Sequence, residues 1–148
     1  MDIAFDFSTI GSTLWIAGRQ NEGFEYFRKS LAIRERLSEG DPKDYRLRDR
    51  LAWMRANLGD LLSKSGKHAE AVPYWRAALE TRRLAPGIYA GDFGQWQVAA
   101  GLARSLDALG RINEACGYWR EAKTARAPTP VKPDELAEVE RNAGRCRD

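Results

Sequence analysis

Cysteine is scarce in this chain: 148 residues hold two, Cys116 and Cys146, at neither CxxC spacing nor the density of a disulfide scaffold. Both are expected to be reduced packing residues. Long apolar runs are missing too. None approaches the roughly 18 residues of a membrane span, and the opening MDIAFDFSTI lacks the basic flank and apolar stretch of a secretory signal. The expectation is a soluble, cytoplasmic chain. A single histidine, His68, and no cluster of His, Cys and carboxylates at ligand spacing argue against a metal or cofactor. No sign of charge is concentrated: Lys and Arg total 24 against 21 Asp and Glu, with nine of each in residues 1–50. What remains is 43% hydrophobic and 10% aromatic, enough for a core in a chain of about one domain's length.

What the chain does have is internal repetition. Three segments align without a gap: GRQNEGFEYFRKSLAIR from Gly18, GKHAEAVPYWRAALETR from Gly66 and GRINEACGYWREAKTAR from Gly110. Their columns hold a glycine, then Glu22, Glu70 and Glu114, then the small residues Gly23, Ala71 and Ala115. Tyr26, Tyr74 and Tyr118 follow, next to the large aromatics Phe27, Trp75 and Trp119. Arg28, Arg76 and Arg120, the small residues Ser30, Ala78 and Ala122, and Arg34, Arg82 and Arg126 complete the match. The glycine suits a helix end in the left-handed conformation. The small residue lets two helices approach, and the aromatic four positions on lies on the same face one turn along.

Upstream of each glycine lies another helical stripe. Leu47, Leu51, Met54, Leu58 and Leu62 recur at helical spacing in the middle repeat, with Gly59 as a close-approach point. Ala99, Leu102, Ala103 and Leu106 are equivalent in the third, and Phe7, Ile10, Gly11 and Leu14 in the first. Connections are expected at SEGDPKD (38–44), APGIYAGD (85–92) and APTPVKP (127–133). Leu136, Val139, Ala143 and Cys146 then mark a last helix.

These residues resemble the tetratricopeptide repeat. LGDLLSKSGKHAEAVPYWRAAL carries the pattern of Leu-Gly, a turn glycine, an Ala, an aromatic four later and another Ala. LARSLDALGRINEACGYWREA matches nearly as well; the first repeat has Gly23 and Ser30 where Ala is usual. The turn glycines stand 48 and 44 residues apart, against roughly 34 in the basic family, so the long helices are similar to the kinesin-light-chain-like variety. The resemblance implies an all-α superhelix, or solenoid, in a single domain over 1–148. Repeat 1 covers about 4–39, repeat 2 about 45–84, repeat 3 about 92–126, and a capping helix about 133–147.

Catalytic chemistry finds little support. His68 reads as an exposed first-turn residue without a partner, and Cys116 as a small buried hydrophobe. GDLLSKSGKH spaces its glycines by six residues where a phosphate-binding loop needs four, and His follows its Lys. The chain is expected not to be an enzyme. The arginine columns would form basic ladders suited to RNA, yet Glu25, Glu35, Glu80 and Glu121 neighbour them, and a mixed solvated face is the better reading.

The resemblance implies a protein-binding module whose first helices line a concave groove for a partner's peptide segment. Residues off the packing stripe are the candidates: Ser8 and Ser12, then Trp53, Asn57, Asp60 and Lys64, then Gln97, Arg104 and Asp107. Asn57 stands where the family often bonds a peptide backbone. Trp53 is open to two readings, an exposed anchor or a residue packed on a neighbouring helix. The clamp for a chaperone's terminal carboxylate is not reproduced, since Ala56, Ala100 and Gly101 fall where charged or amide residues belong. An alternative is homo-oligomerisation through an uncapped N-terminal face with Phe5, Phe7 and Leu14, which a monomeric mass in concentrated solution would rule out. The chain could also be the regulatory repeat region of a larger protein.

Overall fold

The computed structural model describes residues 1–84, 93–125 and 132–147, and among them the backbone forms seven α-helices and no strand. They are α1 (Ile3–Ile16), α2 (Gln20–Gly40), α3 (Tyr45–Lys64), α4 (His68–Leu84), α5 (Gln95–Ala108), α6 (Ile112–Thr124) and α7 (Pro133–Arg145). The fold is all-α, with consecutive helices packed in pairs. The expected connection at 85–92, most of that at 127–133, and Arg126 lie outside the described residues.

The three turn glycines do what the repeat columns require. Gly18, Gly66 and Gly110 have φ of +79°, +77° and +74°, a conformation that a Cβ disfavours. The residue after each glycine donates its amide back across the turn, Arg19 to Leu14, Lys67 to Leu62 and Arg111 to Leu106, each at 2.9 Å. The glycine amides bond Trp15, Ser63 and Asp107 carbonyls at 3.0–3.1 Å. This paired pattern satisfies helix-end carbonyls that would otherwise face no donor. Pro73 sits in α4, which starts at His68, so its missing amide removes one bond just past the first turn and the helix continues.

The described chain divides into two compact units, Met1–Met54 and Arg55–Asp148, with the boundary inside α3. In the first, α1 meets α2 at Gly23, where a Cβ would lie 2.7 Å from the Gly11 carbonyl oxygen. Phe27 fills the next turn, its ring 6.2 Å from that of Trp15, and the buried Ser30 hydroxyl donates to the Ala4 carbonyl at 2.7 Å. Ile10, placed in the packing stripe by periodicity, is exposed.

In the second unit the buried residues form a seam between successive helices. Leu58 and Leu62 of α3, Ala71, Trp75, Ala78 and Leu79 of α4, and nine residues of α5 from Trp96 to Leu106 are buried. Trp75 lies between two glycines: a Cβ on Gly59 would come within 2.7 Å of its ring, and one on Gly101 within 2.6 Å. Trp119 and Ala122 continue the core on α6, and Val139 brings α7 onto it. The cysteines correct the sequence expectation. Both are half-buried, and a disulfide joins Cys116 on α6 to Cys146 at the end of α7, with Cα atoms 5.5 Å apart.

Candidate binding surface

In the first unit, Ser8 and Ser12 turn their hydroxyls back along α1, to the carbonyls of Ala4 and Ser8, each at 2.9 Å. Such back-bonding satisfies the hydroxyl within its own helix. Trp53 is 37% exposed. On the N-terminal face Phe5 is exposed, whereas Leu14 is half-buried and Phe7 packs 6.0 Å from Tyr26, with Lys29 Nζ over both rings.

In the second unit, α3 and α5 lie side by side where Ser63 and Ser105 meet, oxygen to oxygen at 2.8 Å. Asn57 is half-buried, and Lys64 bonds Asp60 one turn back at 2.6 Å. Gln97 accepts the Gly94 amide at 2.8 Å and so caps α5. Arg104 makes a two-pronged ion pair with Glu138 of α7, at 2.7 and 2.8 Å. Asp107 accepts from the Trp119 indole at 2.8 Å and from Arg145 at 2.5 Å. Arg104 and Asp107 thus tie α5 to other helices and Gln97 caps its own, while Asn57, Asp60 and Lys64 make no bond to another helix among the described residues.

A column of residues escaped sequence reasoning. The Trp75 indole donates to Ser63 at 3.0 Å, as the Trp119 indole does to Asp107; in the first repeat the matching positions are Phe27 and Trp15, whose rings pair directly. Each first helix therefore answers the aromatic of its partner with an acceptor where that aromatic has an N–H, and with a ring where it has none. The unlike residue types Trp15, Ser63 and Asp107 hid the column, although the spacing to the turn glycine is constant.

His68 is half-buried, with Nδ1 3.5 Å from Ser105. Ser105 is fully buried and also meets Ser63, so the His68 contact is part of the packing between helices. Of the arginine columns, Arg28 pairs with Glu25 and Arg76 with Glu114, and beside them Arg83 forms a two-pronged bond to Glu121 at 2.7 and 2.5 Å. That contact holds the Glu121 carboxyl below its ordinary value, against burial, which pushes it up. Arg82 departs from the expected solvated face: it is buried, and its Nε donates to the Phe93 carbonyl at 2.7 Å.

No grouping of three or more His, Cys, Asp or Glu suited to a metal occurs among the described residues. None of their helices is long and apolar enough to cross a membrane. Residues 7–42 and 51–85 match the sequence model of a family described as "Tetratricopeptide repeat". The structure is similar to that of BtubC (BKLC) from P. vanneervenii, with a TM-score of 0.72 and 19% identity over 95% of this chain. This chain spans about half of that one, 54% of its length. No protein with a curated description matches the sequence.

Proposed function

From the match of residues 7–42 and 51–85 to the tetratricopeptide-repeat family, we propose that the chain is a non-catalytic binding module that holds a peptide segment of a partner protein. Repeats of this family generally mediate protein–protein interaction, and the fold is typically a scaffold. The observation that carries the finer reading is the division of labour on the first helices of the second unit. Arg104 and Asp107 are committed to bonds with α6 and α7, whereas on α3 Asp60 and Lys64 bond each other and Asn57 stands half-buried beside them. An amide, a carboxylate and an ammonium along one helix offer donors and acceptors to a peptide backbone. A peptide laid against α3 and α5 would use these three.

Affinity capture with the intact chain, compared with an Asn57→Ala, Lys64→Ala double variant of unchanged helical circular dichroism, tests this. The proposal expects at least one partner, identified by mass spectrometry, to be lost from the variant. An identical set of captured proteins at identical yield would remove α3 from the binding surface.

A further inference from the structure

In the first unit, the start of α1, the second half of α2 and the start of α3 line an open cavity of about 390 Å³. That is within the usual range of small-molecule sites, roughly 300–1,000 Å³. Its walls are largely apolar, from Ile33 and Leu37 of α2 and Leu47 of α3. Arg34 and Arg50 also line it. Arg34 is half-buried; its Nε is buried without a hydrogen-bond partner, and among the described residues its side chain forms no ion pair. Burial lowers its pKa, Asp2 raises it and Arg50 lowers it again. The guanidinium is charged at neutral pH all the same.

Asp2 is the one carboxylate lining the cavity, and it is already occupied. One oxygen caps α1 by accepting the Phe5 amide at 3.0 Å, and the other stays 3.9 Å from Arg50. Two arginines and the Met1 ammonium against one aspartate leave the cavity with a positive surplus. A half-buried guanidinium whose Nε lacks a partner, beside apolar walls, matches an anion with a compact hydrocarbon body. Inorganic phosphate would leave the apolar walls uncovered, and a neutral apolar molecule would leave Arg34 unanswered.

We propose that this cavity is a binding site for a small organic carboxylate, its oxygens between Arg34 and Arg50 and its branched or short-chain body against Ile33, Leu37 and Leu47. The site uses residues of the first unit that the peptide-binding reading does not, so the two stand or fall separately.

Titration calorimetry on the intact chain at low salt tests the proposal with 4-methylpentanoate, its neutral amide 4-methylpentanamide, and acetate. Saturable binding of 4-methylpentanoate is expected, about tenfold or more tighter than either control, because one lacks the charge and the other the body. Arg34→Met should weaken it by about tenfold or more. Arg50→Gln, at an exposed position, should also weaken it and replaces Arg34→Met if that variant loses helicity. The proposal is overturned by absence of saturation up to about 50 mM, by equal binding of acid and amide, or by unchanged affinity in the arginine variants. It is equally overturned if a leucine-terminated peptide binds where 4-methylpentanoate does not, since the pocket would then serve chain ends.

Discussion

Trp75 shows how tightly single residues are specified. Its ring is 3% exposed and lies between Gly59 and Gly101, two positions that sequence reasoning treated differently. Gly59 was legible as a close-approach point because it follows Leu58 in the stripe. Gly101 registered only as the absence of a clamp residue, although its role is to admit the neighbouring repeat's tryptophan. Gly101→Ala would set a Cβ 2.6 Å from Cζ2 and Cη2 of a ring that cannot bend away. The expected cost is about 1–3 kcal/mol, read as a lowered urea midpoint with an unchanged slope. An unchanged midpoint would mean that α4 and α5 can separate without loss.

Between elements, charge pairs and a covalent bond supply what periodicity could not predict. Arg83 on α4 grips Glu121 on α6, with Gln95 of α5 adding a 3.2 Å bond to the same carboxylate. The folded Glu121 pKa lies below its ordinary 4.5. Its stabilising contribution is therefore full above that value and is lost as pH falls through the folded pKa. Melting temperatures followed from about pH 6 to about pH 3 should fall less steeply for Glu121→Gln than for the parent chain. Parallel curves would deny the pair a role in stability.

The last helix depends on contacts of a different kind. Its stripe of Leu136, Val139 and Ala143 was visible in sequence, but the Cys116–Cys146 bond closes 30 residues, a separation at which two isolated cysteines carry no pairing signal. Such a cross-link is worth about 2–4 kcal/mol through the unfolded chain. Cys146→Ser should speed hydrogen exchange in α7, where Arg104–Glu138 and Asp107–Arg145 remain as its ties to α5. Exchange spread evenly through α4 and α5 would contradict a local role for the bond.

At the scale of the whole molecule, helix pairing was legible because it rests on local rules: a left-handed glycine after each first helix and a stripe at helical spacing before it. The candidate surface was legible only in part. Which polar residues face a partner and which face the chain's own helices depends on neighbours 34 to 38 positions away, as for Glu138 opposite Arg104 or Arg145 opposite Asp107. The cavity around Arg34 was invisible for the same reason, since that arginine occupied a repeat column that read as solvated surface.

If the first helices of the second unit receive a partner's peptide, hydrogen exchange by mass spectrometry on the intact chain, with and without a saturating captured partner, will register it there. Added protection in α3 from Arg55 to Lys64 and in α5 is predicted, with α4 and α6 unchanged. Protection confined to α4 and α6 would contradict it.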